Sequence, residues 1–325
     1  MRQLKCLLML ATAKAIIWEA GGVIGPRVSG HAAAADALGN VFVFGGLSGS
    51  AGSPTTDALW VYKDKHWDKL DPSGKGPGPC MYSAAAVLDS SFFVFGGWDP
   101  EAPGSGGTFK EEVWSLDINK MKWMKMEPLP CGAISRHTAC TVGGRIIVHS
   151  FRGVVVYESG SMLEQATTGD VPVGLSMCAA VPLGDHEMLL VMGSTKNQAM
   201  SADSYVLDTR TWEWRRLRPT GDALPSPRAS VCAAAIDCTT CVVFGGAGLG
   251  GGGYEGGAGL VAFDETWKLR VEGNEAIWER LQSDVVPAAR VAASLVALGN
   301  ERLLLQGGWD PASKITYDRH YVLTL

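Results

Sequence analysis

Six short stretches of this chain repeat one another, and that repetition restricts the fold more than any other feature. Four end in paired glycines: VFVFGG ending at Gly46, FFVFGG at Gly97, CVVFGG at Gly246 and LLLQGG at Gly308. Two weaker relatives are RIIVHS ending at Ser150 and LLVMGS ending at Ser194. Roughly 15 residues upstream of each lies a run of small apolar residues, in order GPRVSGHAAAA, GPCMYSAAAV, ISRHTAC, GLSMCAAV, SPRASVCAAA and AARVAASLVA. Downstream comes a strand with an aromatic residue or Val followed two places later by Tyr or Leu, as in Trp60-Val61-Tyr62 and Trp267-Lys268-Leu269. Trp67, Trp123, Trp214 and Trp278 follow in four units, and Leu163 falls near that place in the third.

The units average about 53 residues, taken from Arg27 to Arg290. Within each, runs of four to eight β-prone residues are bounded by Gly, Pro, Asn and Asp, the pattern of short antiparallel strands. Such a sheet cannot bury its own face, whereas six arranged about an axis give every sheet two neighbours and leave no long free edge. The expectation is an all-β, six-bladed β-propeller with four antiparallel strands per blade. The recurrent Trp residues belong between blades, and the paired glycines belong where a Cβ would be obstructed.

Taken together, the double glycine, the Trp-x-Tyr/Leu strand and the later Trp resemble kelch repeats over residues 18–325, with the departures concentrated in the third and fourth units. The last unit stops at Leu325 after its third strand, while KAIIWEAGG near the start supplies a Trp-bearing strand with no blade of its own. The strand around Ile16 to Trp18 is therefore expected to complete the sixth blade. Residues 14–325 read as a single propeller. Residues 1–13, with CLLMLATA after a basic start, read as a targeting-like or disordered segment.

The pentapeptide GGWDP occurs at Gly96–Pro100 and again at Gly307–Pro311, 211 residues later. That separation puts the copies on blades 2 and 6, flanking blade 1, and in the kelch family these connections lie on the usual ligand face. Trp98, Asp99, Trp309 and Asp310 are thus candidate partner contacts, although Trp-Asp-Pro also serves as a plain turn with the carboxylate capping backbone donors. In blade 5 the corresponding loop contains Gly246-x-Gly248-x-x-Gly251, formally a dinucleotide fingerprint. The glycine run continuing to Gly259 is incompatible with the helix that such a motif requires. A loop presenting Tyr254 and Glu255 is expected instead.

Signs of chemistry are sparse. Cys238-Thr-Thr-Cys241 is a lone CxxC without a second ligand pair, the six histidines lack ligand spacing, and no hydrolase, zinc-protease or P-loop motif occurs. No metal and no cofactor are expected. His31 and His137 occupy matching places and read as structural. Arg27, Arg136, Arg228 and Arg290 read as one repeat position at the start of the innermost strand. They would either bind backbone carbonyls or form an incomplete ring of guanidinium groups able to hold an acidic peptide or carboxylate.

A net charge of −5 without a basic stripe argues against nucleic acid, and no run of 18 apolar residues is present to cross a membrane as a helix. Eight scattered cysteines and no N-glycosylation sequon favour reduced thiols in a cytoplasmic protein, with secretion or organelle import through residues 1–13 as the alternative. The expected function is a monomeric protein-interaction module that binds a partner protein or peptide on its loop face. The alternative is a propeller enzyme acting on a sugar or other small molecule in the axial cavity. The cavity lining discriminates: converging His, Asp, Glu and Tyr would favour chemistry, whereas small residues with aromatics on one rim would favour binding.

Overall fold

A computed structural model describes residues 16–49, 53–103, 106–195, 199–249, 259–299 and 301–325. Among them, all regular structure is β. Blade 1 comprises Ala32–Ala35, Val41–Phe44, Leu59–Lys63 and His66–Leu70, from hub to rim. Blade 2 comprises Ala84–Leu88, Ser91–Phe95, Val113–Asp117 and Lys122–Lys125, and blade 3 comprises Thr138–Val142, Arg145–Ser150, Gly153–Glu158 and Ser161–Gln165. Blade 4 comprises Ala179–Leu183, Glu187–Ser194, Met200–Asp208 and Glu213–Arg216, and blade 5 comprises Cys232–Ala235, Thr240–Phe244, Thr266–Glu272 and Glu275–Leu281. Blade 6 is built from Val291–Gly299, Arg302–Asp310, Arg319–Thr324 and, outermost, the N-terminal strand Ile17–Ile24. The expected propeller and its closing strand are both present.

The innermost strands pack side by side around the axis, and their small residues permit that approach. At or just before the start of each one, the backbone turns through a left-handed residue: Gly30, Tyr82, Arg136, Met177, Ser230 and Ala292, with φ between 52° and 62°. Each donates its N–H to the carbonyl of the equivalent residue in the preceding blade. Tyr82 donates to Gly30 at 2.6 Å, Arg136 to Tyr82 at 3.0 Å, Met177 to Arg136 at 2.9 Å and Ser230 to Met177 at 2.8 Å. Ala292 donates to Ser230 at 3.3 Å, and Gly30 closes the circle onto Ala292 at 2.8 Å. Left-handed backbone costs a non-glycine residue roughly 1–2 kcal/mol. Here it aims donor and acceptor tangentially, so both are satisfied inside the hub.

The glycine pairs form a second set of links between blades. Gly97 donates its N–H to Ile134 of blade 3 at 2.9 Å, and Gly246 donates to Arg290 of blade 6 at 3.0 Å. At the preceding glycine a side chain has no room, since a Cβ on Gly96 would lie 2.7 Å from the Ile134 oxygen. Units three and four have a different register from the one expected. In blade 4, Met192 at φ 57° occupies the first-glycine place and Gly193 the second, donating to Arg228 at 3.0 Å. In blade 3, Thr138 pairs with His149, so His149 matches Phe44 and Ser150 falls at the first-glycine position. A two-residue turn, Phe151-Arg152, joins its second and third strands, so the crossing that elsewhere needs glycine is missing.

The tryptophans lie between blades as expected. Trp67 donates its indole N–H to His320 of blade 6 at 3.2 Å, Trp123 lies edge-on to Phe44 of blade 1, Trp214 lies edge-on to His149 of blade 3, and Trp278 shares a core cluster with the blade 4 residues Leu189 and Val191. In blade 3 the equivalent is Met162, which lies opposite Tyr157 as Trp67 lies opposite Tyr62. Leu163 points away from that contact and is 68% exposed. One residue of register moves a side chain to the other face of a strand.

The ring closes through Ile17–Ile24 running antiparallel to Arg319–Thr324, with Trp18 opposite Leu323. Trp18 is 1% exposed, lies edge-on to Phe244 of blade 5 and donates its indole N–H to Thr266 Oγ1 at 3.1 Å. Truncating a core Trp to Ala costs about 3–5 kcal/mol. Trp18→Ala should lower the unfolding free energy by that amount in a urea titration. Deleting residues 1–20 should lower the melting temperature further, and an unchanged melting curve would refute the closing role of this strand.

Candidate partner-binding rim

The connections between second and third strands emerge on the face where the innermost strands begin, and they differ greatly in length. Blade 3 has its two-residue turn, whereas the described parts of connections 45–58, 96–112 and 307–318 meet around one cavity over blades 1, 2 and 6. Trp98 pairs with Met81, next to hub residue Tyr82, and Trp309 pairs with Val291, next to hub residue Ala292. The strand geometry thereby carries both tryptophans to the mouth of the ring.

Both aspartates of the pentapeptide are occupied within their turns. Asp99 Oδ1 accepts the Glu101 N–H at 3.0 Å; Asp310 Oδ1 accepts the Ala312 N–H at 3.0 Å, and its Oδ2 accepts the Ser313 hydroxyl at 2.7 Å. These bonds hold the Asp310 carboxyl below the usual carboxylate range, against a burial that pushes it up. The tryptophans remain half-buried. The indole N–H of Trp98 donates to the Gly106 carbonyl at 2.8 Å, which fixes the ring plane.

Trp98 and Trp309 line one cavity of about 550 Å³, together with Tyr82, Arg136, Glu101 and Ser29. The guanidinium carbon of Arg136 lies 4.9 Å from the centre of the Tyr82 ring and 5.2 Å from that of Trp98. Among the described residues no carboxylate pairs with it. Cation–π contact restrains the side chain, and its guanidinium N–H groups have no hydrogen-bond partner among the described residues. Tyr82 and Arg136 are hub residues in consecutive blades and also line the axial channel. Sequence reasoning picked Trp98, Trp309 and Arg136 but missed Tyr82, Glu101 and Ser29. A signal for Tyr82 was available: it is the one aromatic residue in the six innermost-strand starts.

The four arginines do not share a repeat position, and the guanidinium ring is not formed. Arg228 and Arg290 are equivalent to Cys80 and Leu175; Arg27 lies one residue earlier in the repeat and Arg136 two residues later, because Arg136 is itself a hub residue. Arg228, 1% exposed, pairs with Glu265 at 2.7 Å and stacks 3.8 Å from the Phe263 ring centre. Arg290, equally buried, donates to the carbonyls of Ala288 and Gly307, each at 3.0 Å, and lies over Tyr317. Arg27 is exposed and pairs with Asp318 at 2.7 Å. Tyr254 and Glu255 lie outside the described residues. Around their loop, Ala247–Leu249 pairs with Leu260–Ala262 as a two-stranded ribbon. Cys241 is fully buried and Cys238 exposed, and no cluster of three metal-ligating side chains occurs among the described residues.

The axial channel, of about 410 Å³, is lined chiefly by the alanines of the innermost strands, with His31, His137, Thr138, Cys140 and Ser294, and its described lining contains no Asp or Glu. His31 and His137 occupy equivalent places directly after hub residues. Burial holds the imidazoles of His31, His137 and His149 neutral, lowering each to about 4. Blade 6 gives His31 a partner, Ser294 Oγ at 2.8 Å. The equivalent residue beside His137 is Ala84, so His137 lacks the hydroxyl partner of His31; the Phe95 backbone is the polar group nearest its ring, without reaching good hydrogen-bond geometry.

The KLHDC2/KLHL20/DRC7 Kelch-repeats domain model matches residues 4–163 and 154–325, and with these blades it defines the class: the chain belongs to the kelch-repeat family. It is 25% identical over 229 residues to Kelch domain-containing protein 10 of Rattus norvegicus, covering 64% of this chain and 53% of that protein. The Homo sapiens protein of the same name is 24% identical over 229 residues, covering 64% of this chain and 49% of that protein. The Leucine-zipper-like transcriptional regulator 1 homolog of Drosophila melanogaster is 28% identical over 124 residues, covering 35% of this chain and 12% of that protein. The chain thus spans about half the length of the Kelch domain-containing protein 10 relatives. Among solved structures, that of YjhT has a TM-score of 0.69 at 17% identity, over 94% of this chain and 96% of that one, a likeness of fold.

Two stability predictions follow from the histidines. Their pKa values are lower in the folded chain than in the unfolded one, so unfolding takes up protons below pH 6.5. Stability should hold above that pH and fall towards pH 4, by up to about 1.4 kcal/mol per pH unit for each buried histidine, as urea titrations at pH 7 and 5 would measure. Ala84→Ser should give His137 the partner that His31 has and raise stability by about 1 kcal/mol, seen as a higher urea midpoint at pH 7.

Proposed function

We propose that the chain is a protein-recognition module whose rim cavity takes a carboxylate-bearing segment of a partner protein. The observation that carries this reading is the Arg136 guanidinium, lying against the faces of Tyr82 and Trp98 without a carboxylate partner among the described residues. Aromatic and Arg side chains in partly desolvated cavities dominate the energetics of protein interfaces. A partner carboxylate supplies the charge-assisted hydrogen bonds that Arg136 lacks, while Trp98 and Trp309 provide apolar walls. The axial channel is lined chiefly by alanines together with His31, His137 and Tyr82, without Asp or Glu in its described lining, while Trp98 and Trp309 lie on the rim, and this division supports binding at the rim over chemistry at the axis.

The test is affinity capture with the full chain and with the Trp98→Ala/Trp309→Ala double variant. Both rings are half-exposed, so the variant should keep the wild-type fold by circular dichroism. Proteins recovered with the wild type should be lost, and Arg136→Gln should weaken their capture at least tenfold. Capture unchanged by either variant would overturn the proposal.

A further inference from the structure

We infer that the segment taken up by the rim cavity is dipolar, carrying a cation at a fixed spacing from the anion that meets Arg136; the inference rests on the proposed reading of this cavity. The cavity is lined by two opposite charges, Arg136 from blade 3 and Glu101 from the blade 2 loop, and these form no ion pair with each other. Other contacts restrain each of them. Arg136 lies against two aromatic faces, whereas Glu101 Oε1 accepts the Thr55 N–H at 2.6 Å and lies 3.4 Å from its hydroxyl. Glu101 Oε2 has no hydrogen-bond partner among the described residues, and the Arg136 guanidinium has none there either. The fold therefore fixes a positive and a negative group in one cavity without letting them neutralise each other.

Another lining residue adds an independent observation. Ser29 is 1% exposed, and its hydroxyl has no hydrogen-bond partner among the described residues. An unpartnered buried hydroxyl is unfavourable, so a polar ligand group that reaches Ser29 on a small shift of the lining is stabilised by a hydrogen bond to it. A ligand with an anion alone would bring it near the Glu101 carboxylate, and one with a cation alone would face Arg136. Only a segment with both charges, separated as the two side chains are, meets attraction at each end. Paired charges of this kind set register and reject partners of the wrong polarity. The chemistry that fits is a peptide with a carboxylate and a lysine or arginine, its polar backbone available to Ser29.

The experiment is selection from a random-peptide phage library on the full chain as wild type, Glu101→Gln and Arg136→Gln. Glu101→Gln keeps the oxygen that accepts from Thr55, and Arg136→Lys replaces Arg136→Gln if the latter does not fold. Wild-type peptides should share an acidic group and a basic residue at constant spacing. Replacing that basic residue by Ala should weaken binding about tenfold to the wild type and less than about twofold to Glu101→Gln. Peptides with an acid but no fixed base, sensitive to Arg136→Gln alone, would overturn the dipolar inference and leave the carboxylate reading standing. Peptides indifferent to both variants, or no enrichment on the wild type, would overturn both.

Discussion

Six backbone hydrogen bonds closing on themselves around the axis are the constraint on which the rest of this molecule depends. They fix one left-handed residue per blade, and five of the six are not glycine, so local backbone preference is overridden at the hub by a cyclic set of contacts. Once those residues are placed, the innermost strands must run parallel to the axis at close range. Their small side chains follow from that crowding. Because each hub residue begins a blade on the loop face, its side chain is also delivered to the mouth of the ring. Tyr82 and Arg136 serve the hub with their backbones and the rim with their side chains.

The rim is asymmetric although the hub is not. Blade 3 turns between its second and third strands in two residues, whereas blades 1, 2 and 6 carry longer connections at the same level. The side of the ring mouth bounded by those loops is walled by Trp98 and Trp309, and Arg136 reaches it from the low side. Removing a loop thus has two effects: blade 3 no longer needs its glycine pair, and its hub arginine is left uncovered by a loop of its own. Arg228 and Arg290 show the contrasting outcome. They start two residues earlier in the repeat, where the side chain turns into the blade and is consumed by carbonyls, aromatic faces and, for Arg228, Glu265.

Much of this was legible in the chain because the paired glycines and the interblade tryptophans answer to sterics that recur in most blades. The number of units, the closing strand at Trp18 and the shared face of Trp98 and Trp309 could all be read from them. Register failed where those markers failed. Met192 takes a left-handed place that the pattern reserves for glycine, so the fourth unit aligned one residue late. His149-Ser150 mimics a glycine pair by position while ending a strand that runs into a tight turn, and Leu163 stands where the pattern puts the interblade residue although Met162 fills that role. Grouping the arginines by residue type concealed that Arg136 sits at the hub position itself. Ser29 and Glu101 carried no signal, since their roles arise from neighbours in other blades.

The pairing of Trp18 with Leu323 also has a consequence during synthesis. Ile17–Ile24 is made before the other blade strands and Arg319–Thr324 after them, so the pairing spans the whole propeller and has very high contact order. Until then blade 6 lacks its rim strand, and the apolar face that Trp18 later covers stays open to wrong partners. Nascent chains should accordingly be most vulnerable to misassociation in the interval before Arg319–Thr324 has been made, when five blades are in place and the circle is still broken.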